Sequence, residues 1–284
     1  MTTSDRNSQK QHTSFTSTRL AYGPEPLQFG EFYIPDTPGL HPIVILIHGG
    51  YWRARYGLDL MSGLAEDLAS RNTAAWNVEY RRVGDAGGGW PGTFLDVARA
   101  ADYLRSLASN YSVDLNRVVP IGHSAGGHLA LWLAGRPRIA KDSPVAARFS
   151  EASSDKGMDT PLPLAGAISL AGVVDLHLAW QLHLSNDAVV ELLGGNPREV
   201  PERYSAASPA AMLPLGVRQV LLHGTEDVNV PLQVSRAYAA AAKAVNDRVR
   251  LIELPGVEHF ALIDPSSDAW DRAVEELEKM LRGS

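Results

Sequence analysis

The sequence predicts an α/β protein: a doubly wound, mostly parallel sheet with a small helical cap insertion. Three observations predict it. From residue 43 onward, short apolar runs of strand length alternate with longer segments of helical spacing, and that alternation builds parallel sheets with crossovers of one hand. The first run, I-V-I-L-I at residues 43–47, is apolar throughout, as in a strand covered on both faces. At residues 118–127 an apolar run passes into a helix-forming segment through G-x-S-x-G, carried by Gly122, Ser124 and Gly126. Small residues on either side let the chain turn sharply there.

Taken in order, residues 1–18 are polar and are expected to form a disordered tail, leaving 19–284 as a single domain. Residues 27–35 alternate apolar and polar and read as an antiparallel edge strand. D-T-P-G at 36–39 is a turn, and 42–47 is the buried central strand. It ends in His48-Gly49-Gly50-Tyr51-Trp52, where paired glycines suggest a backbone that must approach something closely. Leu60, Leu64 and Leu68 mark a helix over 58–70, and 73–80 reads as the next strand. The glycine-dense stretch 84–92 is a loop, followed by a helix over 93–109. A turn at 114–117 leads into the strand before Ser124, and an apolar helical segment leaves it at 128–133. Residues 136–163 shift to Pro, Ser, Asp, Lys and Gly and read as an exposed excursion. Sheet returns at 164–170. Leu178, Leu182, Val189 and Leu193 then give 175–193 helical spacing, and 194–209 reads as a loop with short turns. The cap insertion is thus placed at about 136–209. Residues 217–223 and 249–254 are strands, and 232–244 and 268–282 are helices.

Composition narrows the function. The 284 residues carry a net charge of −6, which argues against nucleic acid and anionic membranes as partners. No stretch has the ~18 apolar residues of a membrane span, and residues 1–18 lack the apolar core of a secretory signal, so a cytoplasmic location is expected. There is no cysteine, hence no disulfide or thiolate chemistry. The loop at 84–92 lacks the G-K-[ST] of a phosphate-binding loop, and no nucleotide cofactor is expected. No histidine spacing suits a metal. The expected partner is a small-molecule substrate, with a homodimer left open.

Three loops at the carboxyl ends of three strands offer Ser124, Asp227 and His259 in that order. That edge is where open α/β sheets place ligands. A serine raised on a strand-to-helix turn can act as a nucleophile. His259 would take its proton and return it to the leaving group, and Asp227 would fix the imidazole's tautomer. The backbone N–H groups of Gly50, Tyr51 and Ala125 are candidate oxyanion donors. Asp175 also follows a strand, and its alternative reading is a helix N-cap. Glu226 and Glu258 read as solvated neighbours of the acid and base. His48 is expected to brace its loop, His123 and His128 to pack, His223 to be structural, and His177 and His183 to lie at the surface.

With these residues the chain resembles the α/β-hydrolase superfamily from about Leu27 onward. More narrowly, His48-Gly49-Gly50-Tyr51-Trp52 resembles the H-G-G-x-W signature of kynurenine formamidases (arylformamidases) and related bacterial esterases. The resemblance implies a serine hydrolase working through an acyl-enzyme, with the triad Ser124, Asp227 and His259 and oxyanion donors at Gly50 and Tyr51. Its implied substrates are N-formylkynurenine, split to kynurenine and formate, or a small-acyl carboxylic ester. Tyr51, Trp52 and Trp180 are candidates for an aromatic wall, with plain packing as the alternative. Two rival readings stay open. G-T-E-D-V-N-V-P at 224–231 also resembles prolyl-oligopeptidase-type peptidases, and the same fold serves non-catalytic binding proteins, which usually lose a triad member.

Overall fold

The computed structural model describes residues 13–146 and 160–283. The first part of the expected tail and the middle of the expected excursion lie outside those residues. Eight strands form one sheet in the order β1-β2-β4-β3-β5-β6-β7-β8. They are β1 (Phe15–Ala21), β2 (Phe29–Pro35), β3 (His41–Ile47), β4 (Ala74–Val78), β5 (Val113–His123), β6 (Gly166–Leu170), β7 (Arg218–Gly224) and β8 (Val249–Leu254). β2 runs antiparallel to both β1 and β4, and all other neighbours are parallel. The helices are α1 (Ser62–Ser70), α2 (Gly92–Asp102), α3 (Leu104–Ala108), α4 (Ala125–Gly135), α5 (Leu176–Gln181), α6 (Ala188–Leu193), α7 (Pro201–Ala207), α8 (Gln233–Ala244) and α9 (Asp268–Arg282).

The two-residue period of β3 explains why it is apolar throughout. Ile43, Ile45 and Ile47 enter one core with Trp76, Phe94, Leu129 and Tyr238, beneath α2, α4 and α8. Val44 and Leu46 enter the other, with Leu64 and Leu68 of α1 and Trp270 and Leu277 of α9. Helices therefore cover both faces. α9 buries Trp270, Ala273, Val274, Leu277 and Met280 at three- and four-residue spacing. The Ser267 side chain caps it, with acids in its first turn and Lys279 and Arg282 in its last, as the helix dipole favours. α4 is buried on every side, which is why its sequence shows no polar face.

Several expected elements differ. β1 begins within the stretch assigned to the tail and runs on into the domain, so β2 is not an edge strand. β1 was hidden because its T-S-T-R centre is exposed and only its ends, at Phe15 and Leu20, are partly covered. The helix expected over 93–109 breaks at Tyr103 into α2 and α3. Residues 114–117 lie inside β5, where pairing with β3 shifts register between His41 and Ile43. A turn does form there, with Asn116 N–H on Asp114 Oδ1, but as an irregularity within the strand. Residues 175–193 split into α5 and α6 around His183, Ser185, Asn186 and Asp187, all at positive φ. α7 occupies part of the stretch expected to be loop.

Candidate active site

The carboxyl ends of β3, β5, β7 and β8 bring the sequence's candidate residues to one edge of the sheet. Ser124 stands between β5 and α4 at φ 55, ψ −118, a conformation that L-residues avoid and that a strand-to-helix elbow imposes. Its N–H donates to the Leu170 carbonyl and its own carbonyl accepts from His128 and Val173, so the turn is fixed from both sides. The flanking glycines are needed for space. A Cβ on Gly126 would lie 2.6 Å from the His48 carbonyl oxygen and closer still to that of Ile47. A Cβ on Gly49 would lie 3.0 Å from Ser124 Cβ. The loop after β3 therefore runs directly against the serine.

His259 Nδ1 donates to Asp227 Oδ2 at 2.6 Å, which leaves Nε2 unprotonated in the neutral ring and able to accept a proton. Asp227 Oδ1 accepts from the N–H groups of Asn229 and Val230, at 2.8 and 2.9 Å. His223 Nε2 lies 3.3 Å from Asp227 Oδ2 and 2.8 Å from the Val230 carbonyl oxygen. Burial alone would push the Asp227 carboxyl up. The His223 and His259 hydrogen bonds, the charge of His259 and the Val230 N–H outweigh it, and the carboxyl sits well below the usual carboxylate range. Asp227 is thus held ionised beside His259.

His123, next to Ser124 in the chain, links the serine and histidine loops. Its Nε2 donates to the His259 carbonyl at 3.0 Å, and the two rings are 4.4 Å apart. Burial, then the neighbouring His259, pushes His123 down to about 3, so the tether is neutral. Among the described residues no hydrogen bond joins Ser124 Oγ to His259. Such bonds often tighten only once substrate is bound.

The loop after β3 is braced from below. His48 Nδ1 faces the Gly49 carbonyl at 2.8 Å, and its Nε2 faces Glu79 Oε1 at 3.1 Å. Both partners are acceptors, and together they hold the ring from either side. Glu79 also accepts from the Leu58 and Tyr80 N–H groups and from Arg82. Burial raises its carboxyl, but His48, then Arg82 and the Tyr80 N–H, lower it below its ordinary value. Tyr80 stacks on the His48 ring and donates to the His48 carbonyl. Holding the Gly49 carbonyl on one side turns the Gly50 N–H, across the same planar peptide, to the other. Among the described residues the Gly50 and Tyr51 N–H groups have no backbone acceptor, as donors awaiting an oxyanion would. Ala125 opens α4, where the N–H groups and the helix dipole suit negative charge.

The other candidates sort clearly. Asp175 caps α5, accepting from His177 and Leu178 N–H at 3.0 Å, as its N-cap reading expected. Glu226 and Glu258 are exposed. His128 is buried, bonded to the Ala207 carbonyl and to the Trp52 indole. His177 and His183 are exposed. Trp52 does not line an open wall: it is 1% exposed and packs edge-on to His128 within the core. The packing alternative holds for it. Trp180 is partly buried against the same core, and Tyr51 is half-buried with its hydroxyl on the Asn229 carbonyl. Sequence reasoning missed the bonds of His223, His123 and Glu79 to the site. All three sit at strand ends, and position on the carboxyl edge was the available signal. Arg53, just beyond Trp52, ties this loop to Ser185 and Glu191 of the segment after β6. No group of side chains among the described residues could hold a metal, and no described helix is long and apolar enough to cross a membrane.

The family model described as BD-FAE matches residues 31–241, more than half of the chain. Esterase LipC of Mycobacterium tuberculosis (strain ATCC 25618 / H37Rv) is 28% identical over 87% of this chain and 60% of its own length. Isoprenylcysteine alpha-carbonyl methylesterase ICME of Arabidopsis thaliana is 24% identical over 91% of this chain and 60% of its own. The chain thus spans about 60% of the length of these curated relatives. Among solved structures, a truncated carbohydrate esterase from gut microbiota superposes with a TM-score of 0.78 at 20% identity, covering 96% of this chain and 98% of that one. Thermogutta terrifontis esterase 2, phosphoramylated by tabun, superposes with a TM-score of 0.72 at 22% identity, covering 94% of each chain. The sheet with its flanking helices is the α/β-hydrolase fold.

Proposed function

The chain belongs to the BD-FAE family, and on that premise we propose that it is a carboxylic ester hydrolase working through an acyl-enzyme on Ser124. The observation that carries the reading is the 2.6 Å bond from His259 Nδ1 to a buried, ionised Asp227, on the same sheet edge as a serine held at positive φ. His259 Nε2 takes the Ser124 proton as Oγ attacks the ester carbonyl. The resulting oxyanion is received by the N–H groups of Gly50, Tyr51 and Ala125, each of the kind worth roughly 10²–10³ in rate. The tetrahedral adduct expels the alcohol, which takes the proton from His259. Water, activated by the same base, then releases the acid and restores Ser124. Relatives named as esterases, LipC among them, support this reaction class.

Turnover of p-nitrophenyl acetate, with fluorophosphonate labelling of Ser124, tests this. Ser124→Ala is expected to abolish both while leaving the fold intact. Turnover that survives the substitution would remove the proposal. A second reading, arylformamide hydrolysis, is favoured by His48-Gly49-Gly50-Tyr51-Trp52. The same machinery suits it, since the acyl group is small and the arylamine leaves once His259 protonates it. Ester turnover without turnover of N-formylkynurenine would reject that narrower activity.

A further inference from the structure

The Tyr51 hydroxyl donates to the Asn229 carbonyl oxygen at 2.5 Å. Tyr51 lies on the loop after β3 and Asn229 on the loop after β7. In the sheet, β5 and β6 lie between those two strands. Neighbouring strands are spaced about 4.8 Å, so about 14 Å of sheet edge separates the two loops. The bond draws the two loops together across the carboxyl ends of β5 and β6, and Ser124 stands on the first of these. We propose that Tyr51 is a crossbar over the nucleophile that restricts the site to esters with short acyl groups. The proposal rests on the reading of Ser124 as nucleophile and deepens it to a substrate class.

Both ends of the bar are anchored. Gly50, Tyr51 and Trp52 have φ of 105, 50 and 56, a left-handed run that turns the Tyr51 side chain away from the course of the strand. Immediately after it, Trp52 is locked in the core through His128. At the far end, the Asn229 N–H is bonded to Asp227 Oδ1, so the acceptor belongs to the loop that orients the base. Burial, then the charge of Asp227, pushes the Tyr51 hydroxyl up to about 12, so it remains a donor throughout the ordinary working range.

Beyond the bar the surface changes character. Phe260 is 51% exposed and stands edge-on to His259, ring centroids 5.2 Å apart. His259 is where the leaving alcohol collects its proton, so Phe260 offers that alcohol an apolar face. Val228, next to Asp227 in the chain, is 91% exposed. The substrate class that fits is an acetyl-sized ester of a larger, partly apolar alcohol.

The test compares kcat/KM for p-nitrophenyl octanoate and p-nitrophenyl acetate in the wild type, Tyr51→Phe and Tyr51→Ala, with fluorophosphonate labelling of Ser124 alongside. The wild type is expected to favour acetate strongly. Tyr51→Ala should raise the octanoate-to-acetate ratio by at least about tenfold, the scale at which hydrophobic pockets discriminate chain length. Tyr51→Phe keeps the ring and loses the tie, and should raise the ratio about threefold, as expected for one neutral hydrogen bond. It carries the test alone if Tyr51→Ala does not fold. An unchanged ratio in an enzyme whose Ser124 still labels overturns the crossbar and leaves the nucleophile standing. A wild type that neither labels nor turns over removes both.

Discussion

Asp227 lies between two imidazoles, His223 and His259, and accepts two backbone N–H groups besides. An amide at this position could keep the backbone contacts but would offer His259 a donor or a neutral oxygen in place of a charge. Asp227→Asn is therefore expected to lower kcat by on the order of 10⁴. Asp175→Asn exchanges one good N-cap for another and should leave kcat within about twofold. Steady-state kinetics of the two variants decide between the acids, and equal, small losses would mean that Asp227 is not the partner of the base. The placing of Ser124, Asp227 and His259 on one sheet edge was legible because each follows a strand and their order along the chain is informative. His123 and His223 were legible only as buried histidines. Their bonds to His259 and Asp227 cross 136 residues in one case and depend on a turn in the other, and neither leaves a periodic trace. Trp52 shows the opposite error: an aromatic beside a functional loop suggested a substrate wall, while its burial follows from where α4 places His128.

The elbow works as an element because two backbones approach more closely than any side chain allows. Gly126→Ala would drive a methyl group into the carbonyls of Ile47 and His48, which are backbone and cannot turn aside. The α4 N-terminus and the end of β3 would have to separate, with a cost of several kcal/mol expected from overpacking plus the lost contacts. A thermal melt should show a large fall in Tm or no folded protein, and an unchanged Tm would mean that this contact is looser than drawn. The glycines of this turn were readable from the sequence, as were the central strands, whose apolar runs announce cover on both faces. β1 and α7 were not. β1 has a polar, exposed middle, and α7 spans only seven residues, too short to establish a period.

Over the whole molecule, buried neutral histidines make stability depend on acidity. Burial pushes His123 down to about 3 and His128 to about 4. In the unfolded chain both return to about 6.5. Between those values the unfolded state binds more protons, so stability is fully present above about pH 6.5 and is lost as the pH falls toward the folded values. Each histidine contributes a slope of up to about 1.4 kcal/mol per pH unit. The urea midpoint is therefore expected to fall from pH 7 to pH 5, and a flat profile would contradict the neutral assignment. Fold class was legible at this scale because alternation of strand and helix persists along nearly the whole chain. The path of residues 175–209 was not, since short helices broken by positive-φ residues carry weak patterns. The His123–His259 tether joins positions 136 residues apart, with β6, β7 and β8 all lying between them. That distance gives the site a place in time. The serine turn needs β6 as well as β5 and β3, since Leu170 and Val173 hold it, and under the proposed mechanism its base arrives only when β8 has docked on β7 and delivered its loop. Returning turnover in a refolding experiment therefore marks a late assembly step, and chains halted before that docking would carry a formed but inert elbow.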